Sequence, residues 1–403
     1  MTDVAEQRGV EALRVDKPSA DSTTSTPVTF ARPEITEADI EAVTAVLRSG
    51  WITTGPVCAS LEAELAEHLH IDHVIAVASC TAGLELALAY LDLPAGSRVA
   101  VPTWTFAATA LVVHHAGAVP VFIDIDPATL NISAESLAGA LEADPGIRAV
   151  LPVHVAGVPV DAEVGAVCDN YGVPFFEDAA HALGSTDFDG PVAGRRSLGA
   201  AFSFYATKNI TSGEGGAIAT NDGDFASFAR TSRTHGLTTE AHDREAGAGY
   251  DVVRPGIKAN LSDLNAALAQ SQLRRLDSLQ ERRRMLAIAY RQGLSGSSAR
   301  PLPRNLVPGG SDHLFVVALP DGVNRTIVVK ELLAEGIDTS VHFKPLHKMT
   351  WFAGNHQAAP GGTPNADHLE ERVLSLPLHP SLSVDEVGRV VGSLRSIVER
   401  LAG

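Results

Sequence analysis

Lysine is scarce in this chain. Only six of its 31 basic residues are lysines, and Lys208 is the only one between Lys17 and Lys258. Positive charge is short overall, with 48 acidic residues giving a net charge of -17. That balance argues against a nucleic-acid partner, which asks for a basic patch, and against adhesion to anionic lipid. There are three cysteines, Cys58, Cys80 and Cys168. Their odd number and wide spacing suggest neither a disulfide framework nor a zinc ribbon, and they suit a reducing cytoplasm. No apolar run approaches the roughly 18 residues a spanning helix needs. The opening MTDVAEQRGV lacks the apolar core of a signal peptide. The expectation is a cytoplasmic protein without membrane or nucleic-acid partners.

What is present is core-forming material. The chain has 403 residues, 45% of them hydrophobic, enough for a large core and, by length, for two domains. Residues 1 to about 28 are polar and rich in Ser and Thr, which reads as a disordered tail. Thr36 and Asp39 make a capping-box-like helix start, an apolar stripe of Ile40, Val43, Val46 and Leu47 follows, and Gly50 ends it. From residue 70, short apolar runs alternate with helical stretches. They are HVIAVAS (73–79), RVAVPT (98–103), VPVFID (119–124), RAVLPVHV (148–155), VPFFED (173–178), AAFSFY (200–205) and GAIATN (216–221). Runs apolar on both faces with helices between them indicate an α/β fold, a mostly parallel sheet covered on both sides. A long helix is predicted from Ser262 to about residue 292, with Leu264, Leu268, Leu273 and Leu276 near one stripe. LFVVALP reads as a strand, Thr326 as the start of the next helix, and Ser383 with Glu386 as a capping box for the last. This gives an N-terminal segment and large α/β domain at 29–275 and a small α+β domain at 276–403.

Sites in open α/β sheets lie at the carboxyl ends of strands. Asp178 ends VPFFED. It either caps a helix at AAHALG or pairs with the protonated ring nitrogen of a pyridine cofactor, which keeps the ring an electron sink. Ser79 to Gly83 follow a strand and open a helix, where small residues and free N–H groups suit a phosphate. Phe106 follows RVAVPT and either packs in the core or stacks on a ring. Lys208 and Asn209 lie between two strands in SFYATKNITSGEGGAIAT. A loop lysine is ordinarily solvated, but this one stands in a lysine-poor domain with apolar or small flanks. A partly desolvated lysine is a nucleophile toward carbonyls. His154, His181, His235 and His342 match no zinc spacing, so no metal is expected.

Together, WITTGP (51–56), SCTAGLELAL (79–88), VPTWTF (101–106), PVHVAG (152–157), EDAAHALG (177–184), SFYATKNITSGEGGAI (203–218) and SLPLHP (375–380) resemble the DegT–StrS family of sugar aminotransferases. The likeness runs from about residue 30 to the C-terminus. It implies the fold-type-I architecture with pyridoxal 5'-phosphate (PLP) as cofactor. It implies that Lys208 carries the cofactor as a Schiff base and shuttles a proton. It also implies that Asp178 pairs with the pyridine nitrogen and that His181 sits near the ring hydroxyl. Phe106 would stack on the ring, and Thr81, Ala82 and Ser203 would hold the phosphate. Asn260, in GIKANLSDLNAA, would reach the phosphate of a neighbouring subunit, so a homodimer with shared sites is implied. EDAAHA, KNIT and THGL look most like aminotransferases that form UDP-4-amino-4-deoxy-arabinose. The implied substrates are an amino-acid donor, L-glutamate by family habit, and a nucleotide-linked keto sugar aminated at C4. C3 amination, or amination of a cyclic ketone such as an inosose, is the alternative. Members that aminate C3 more often carry Gln where His181 stands. The family's usual aromatics are missing at Ile257 and Ala259, which suggests a substrate other than the arabinose precursor. A PLP-binding regulator is the non-enzyme alternative, and no DNA-binding segment is visible to support it.

Overall fold

The computed structural model describes residues 26–187, 190–192, 194–239 and 249–402. The strands are β1 His73–Val77, β2 Arg98–Pro102, β3 Val119–Ile123, β4 Ile147–Val150, β5 Glu177–Asp178, β6 Thr186–Asp187, β7 Gly190–Pro191, β8 Ala200–Ser203, β9 Gly216–Thr220, β10 Arg300–Leu302, β11 Phe315–Ala318, β12 Gln357–Ala358 and β13 Val373–Leu376. Two four-stranded arrays run β1-β9-β8-β5 and β12-β3-β2-β4. Parallel bridges Val150 to Phe175 and Val153 to Asp178 join them. Every pairing in these arrays is parallel except those of β9, which is antiparallel to both β1 and β8. The architecture is mixed α/β with a mostly parallel sheet, as its apolar runs predict.

The alternation of β1 shows why both faces must be covered. Ile75 and Val77 enter one apolar cluster, while Val74 and Ala76 enter another on the opposite face. Successive side chains of a strand point to opposite faces, so a run apolar throughout needs helices on each side. Helix Cys80–Leu91 supplies one cover, packing against β8 and β9. Helices Pro56–Leu69 and Asp263–Leu273 contribute to the other. The three-stranded sheet β10-β11-β13 has its own cluster with helices Leu276–Gly293, Arg325–Ala334 and Val384–Ala402.

Several elements differ from expectation. The long helix breaks at Arg274–Arg275 into Asp263–Leu273 and Leu276–Gly293. Arg275 leaves helical geometry and forms ion pairs with Glu34 and Asp39, both at 2.9 Å. The buried face of the first piece is built from Ala266, Ala267, Ala269 and Leu273, with Leu264 and Leu268 only half-buried. Helix Arg325–Ala334 is capped by Asn324, whose Oδ1 accepts from Thr326 N–H at 2.9 Å, so Thr326 lies inside the helix. The run 148–155 forms a continuous strand only to Val150 and thereafter keeps just the isolated Val153–Asp178 bridge, because Pro152 cannot donate to a ladder and a short 3-10 turn follows at Val155–Gly157. Residues 173–178 form a strand only at Glu177–Asp178. Residues 1–25 of the expected tail lie outside the described residues, but Val28 is core. It is 1% exposed and bridges Ile337 in parallel.

Both capping boxes form as expected: Asp39 accepts from Thr36 N–H at 2.8 Å, and Glu386 from Ser383 N–H at 2.7 Å. The first helix, Glu37–Ser49, packs on helix Asp263–Leu273, where Ser271 donates to Asp39 at 2.6 Å.

Gly216 is where the sheet meets the turn before helix Cys80–Leu91. A Cβ there would lie 2.5 Å from Phe202 O and 2.7 Å from both Cys80 N and Ser79 C. These are backbone atoms, which cannot swing aside. Gly216→Ala is expected to destabilise the protein by about 3 kcal/mol, read as a lower denaturant midpoint at unchanged slope.

Candidate active site

The carboxyl ends of β5 and β8 and the turn after β1 converge on a cavity of about 780 Å³. Thr81, Phe106, Asp178, His181, Ser203 and Lys208 all line it. Six residues separated by up to 127 positions in sequence therefore share one wall system.

Lys208 sits in the connection between β8 and β9. Because these strands are antiparallel neighbours, the chain crosses the sheet end directly, without a crossover helix. The connection is tied down along its length. Ser212 N–H donates to Phe204 O at 2.9 Å, Thr211 Oγ1 donates to Phe204 O at 3.1 Å, and Gly213 N–H donates to Thr211 Oγ1 at 2.9 Å. Asn209 extends the anchoring. Its Nδ2 donates to Ser311 O and to Gln280 Oε1, each at 3.0 Å. Burial lowers the Lys208 pKa to about 8, with Cys80 and Asp178 opposing the shift. In cofactor-free protein, the rate of Lys208 modification by an amine-selective reagent is expected to rise with pH through a midpoint near 8. The sign follows from burial, which disfavours the ammonium. For the same reason stability contributed by this group falls as pH drops from the unfolded lysine value through about 8, because the unfolded chain binds the proton more tightly.

Asp178 ends β5 and is 6% exposed. Both readings of it hold in part. Its Oδ1 accepts from Ala180 N–H at 3.1 Å, which caps a turn at 179–184 rather than a helix. Its Oδ2 accepts from Thr109 Oγ1 at 2.7 Å, and Thr109 Oγ1 lies 2.8 Å from Thr105 Oγ1. Cys80 Sγ lies 3.6 Å from Oδ1. The carboxylate is thus fixed at both oxygens within a wall of the cavity. Thr109 escaped the sequence reading. The available signal was its place one turn after Thr105, in a helix that opens the cavity side of β2.

His181 is stacked near Phe343, with ring centroids 5.9 Å apart, and lies 4.4 Å from His313. Its Nδ1 accepts from Ala156 N–H at 3.2 Å. That bond leaves the ring proton on Nε2, so neutral His181 presents a donor. Burial, then repulsion from Lys208, holds its pKa well below the ordinary histidine value. His313 was also missed. Asn209 Oδ1 lies 3.0 Å from its Nδ1. Because the Asn209 amide nitrogen faces carbonyls, that oxygen must accept and His313 Nδ1 must donate.

Phe106 is 66% exposed, which rules out ordinary core packing for it. Ser79 caps helix Cys80–Leu91 by accepting from Ala82 N–H at 3.1 Å. Ala82 therefore stands behind the cavity wall, with its N–H engaged, while Thr81 lines the cavity. Asn260 does not line the cavity in its own chain. It bridges Val77, donates to Thr54 Oγ1 and accepts from Lys258 Nζ.

A pyridoxal phosphate molecule fits this donor set. A low-pKa amine, a fixed carboxylate, an exposed aromatic face and a helix start with small residues border one cavity. These features and the sheet define a fold-type-I PLP enzyme. The chain belongs to the DegT/DnrJ/EryC1/StrS aminotransferase family, whose profile matches residues 33–395. It is an aminotransferase, and the family is PLP-dependent. Among similar solved structures is the aminotransferase TlmJ from Streptoalloteichus hindustanus. It is 33% identical, with 93% of this chain and 100% of that one covered and a TM-score of 0.86. Spr1654 from Streptococcus pneumoniae in its PLP form is 31% identical, with 93% and 99% covered and a TM-score of 0.85. PseC from Helicobacter pylori, an aminotransferase involved in the biosynthesis of pseudoaminic acid, is 26% identical, with 93% and 100% covered and a TM-score of 0.86.

Proposed function

We propose that this enzyme moves an amino group from an amino acid, L-glutamate by family habit, to C4 of a nucleotide-linked 4-keto sugar. The observation that carries the reading is the meeting of Lys208 and Asp178 in one large cavity within a chain of this family. Related chains carry sugar roles: CalS13 from Micromonospora echinospora is a sugar aminotransferase and PseC is named for pseudoaminic acid biosynthesis, and both superpose along nearly their whole length. His181, rather than Gln, favours C4 over C3.

Bound here, PLP supplies an electron sink for the substrate carbon that loses and regains a proton. The protein's own residues do the rest. Lys208 anchors the cofactor and, when free, moves the proton at that carbon; its lowered pKa makes the neutral amine available near pH 8. Asp178 would hold a positive charge on the ring nitrogen. His181, with its donor on Nε2, would serve the ring hydroxyl. Thr81, Ala82 and Ser203 would hold the phosphate, and Phe106 would cover the ring. Ala82 would do so through its place in the first helical turn, since its N–H already serves Ser79.

Asn260 faces Thr54 rather than its own cavity, which supports its acting across a subunit boundary in a homodimer. Tyr250 at 66% and Val252 at 58% exposed supply apolar surface close by in sequence. Among the described residues no helix is long and apolar enough to cross a membrane, and we place the enzyme in the cytoplasm on its cysteine usage. We further propose that residues 29–275 and 276–403 act as large and small domains.

The test loads the enzyme with pyridoxamine phosphate and offers a panel of nucleotide keto sugars and cyclic ketones. Return of the bound-PLP absorbance with a 4-keto sugar is expected. Return only with a 3-keto sugar or an inosose would replace the C4 assignment. Initial rates should give parallel double-reciprocal lines, the mark of ping-pong transfer.

A further inference from the structure

Residues 309–313, the lead-in to β11, form a strap that reaches the active-site cavity at His313. The strap is bonded to three separate segments. Gly309 O accepts from Thr186 N–H and Ser311 Oγ donates to His181 O, each at 2.7 Å, which ties it to the turn after Asp178. Ser311 N–H donates to Gly157 O at 3.0 Å and His313 N–H to Ala156 O at 3.1 Å. These tie it to the turn whose Ala156 N–H donates to His181 Nδ1. The third tie is to Asn209, the residue after Lys208. Its Nδ2 donates to Ser311 O, and its Oδ1 accepts from His313 Nδ1, each at 3.0 Å.

Asn209 is 6% exposed and His313 4%. Burial, then repulsion from His181 and Lys208, keeps the His313 pKa well below the ordinary histidine value. Its ring therefore carries one proton, and Asn209 takes it. Without that donor the Asn209 oxygen would be buried and unpaired, a cost relieved only if the loop shifts toward water. Asn209 and Lys208 are adjacent, so such a shift moves the amine.

We propose that His313 is a positioning residue: through Asn209 it fixes where the Lys208 amine sits, while its strap fixes His181, so that the two side chains keep one spacing across the cavity. This role presupposes Lys208 as the cofactor-bearing amine. It requires no contact between His313 and substrate. The spacing matters because a reacting group misplaced by about 1 Å can lose about 10²-fold in rate.

In cofactor-free protein, His313→Phe should raise the pH midpoint for amine-reagent modification of Lys208 from near 8 by about one pH unit, because a loosened loop rehydrates the ammonium. In the holoenzyme, kcat should fall about 10–10²-fold, with KM for the amino donor changed less than about threefold. His313→Asn, whose amide nitrogen takes the place of Nδ1, should return the midpoint to near 8 and recover kcat. Should His313→Phe not fold, Asn209→Ala is read in the same way. A lower unfolding temperature with midpoint and kcat both native would overturn the role and leave His313 as packing alone. So would His313→Asn behaving like His313→Phe, because the bond to Asn209 would then carry nothing. Borohydride labelling of native enzyme separates this role from the assignment beneath it. Cofactor mass on a lysine other than Lys208 sinks both, whereas mass on Lys208 with an unmoved midpoint in the variant sinks the positioning role alone.

Discussion

Lys208→Ala is expected to lower turnover by roughly 10²–10⁴-fold, the range for losing a positioned acid-base group, and to remove covalent cofactor attachment entirely. The physical reason is the setting of the amine. Burial brings its pKa to about 8, and the connection that carries it is bonded to Phe204, Gln280 and Ser311. No other lysine lines the cavity except Lys344, which is exposed. Borohydride reduction of native enzyme should leave a cofactor-sized mass on the peptide containing Lys208, and none on the variant. Lysine is replaced by methyl at a site already held by neighbours, so the fold should survive. A Lys208→Ala protein that keeps normal transamination would overturn the assignment.

Asp178→Asn should cost about 10²–10³-fold in turnover while the cofactor remains attached, as expected when one preorganised electrostatic partner is lost. The amide is nearly isosteric and can still accept from Ala180 N–H, so the turn at 179–184 has its cap. What disappears is the negative charge that we propose faces the ring nitrogen. Thr109→Val provides the graded comparison. It keeps the carboxylate but removes the 2.7 Å hydroxyl donor, a bond to a charged group worth about 1.5–3 kcal/mol. Its effect on turnover should be smaller than that of Asp178→Asn. Equal activity of Asp178→Asn and native enzyme, measured with cofactor occupancy fixed, would remove Asp178 from the ring-nitrogen role.

The site was legible where chemistry coincides with a strand end. Asp178, Ser203 and Thr81 each follow an apolar run, and a strand fixes where its last residue points. Lys208 was legible for a different reason, its isolation in a lysine-poor stretch and the pattern of its neighbours. Thr109 and His313 were not legible, because each owes its place to contacts more than 25 residues away. No local pattern marks such partners. The broken helix failed similarly. Leucines at 264, 268, 273 and 276 continue a helical period across residues 274–275, whereas the break is set by Arg275 pairing with Glu34 and Asp39. Val28 was placed in a polar tail by composition, yet it adds a bridge to Ile337, a partner that only the folded chain brings near. The antiparallel direction of β9 was also hidden, since a buried strand reads alike in either direction.

That reversal of β9 has a consequence for motion. The segment bearing the reactive amine is spliced between two adjacent strands, and amides at 211, 212 and 213 are each bonded within the fold. Solvent hydrogen reaches such amides only when the surrounding sheet opens. The Lys208 loop therefore belongs to the slow-exchanging fraction of the molecule, and adaptation to different acceptors falls to cavity-lining residues outside it, such as Phe106 and Lys344, which stand in solvent.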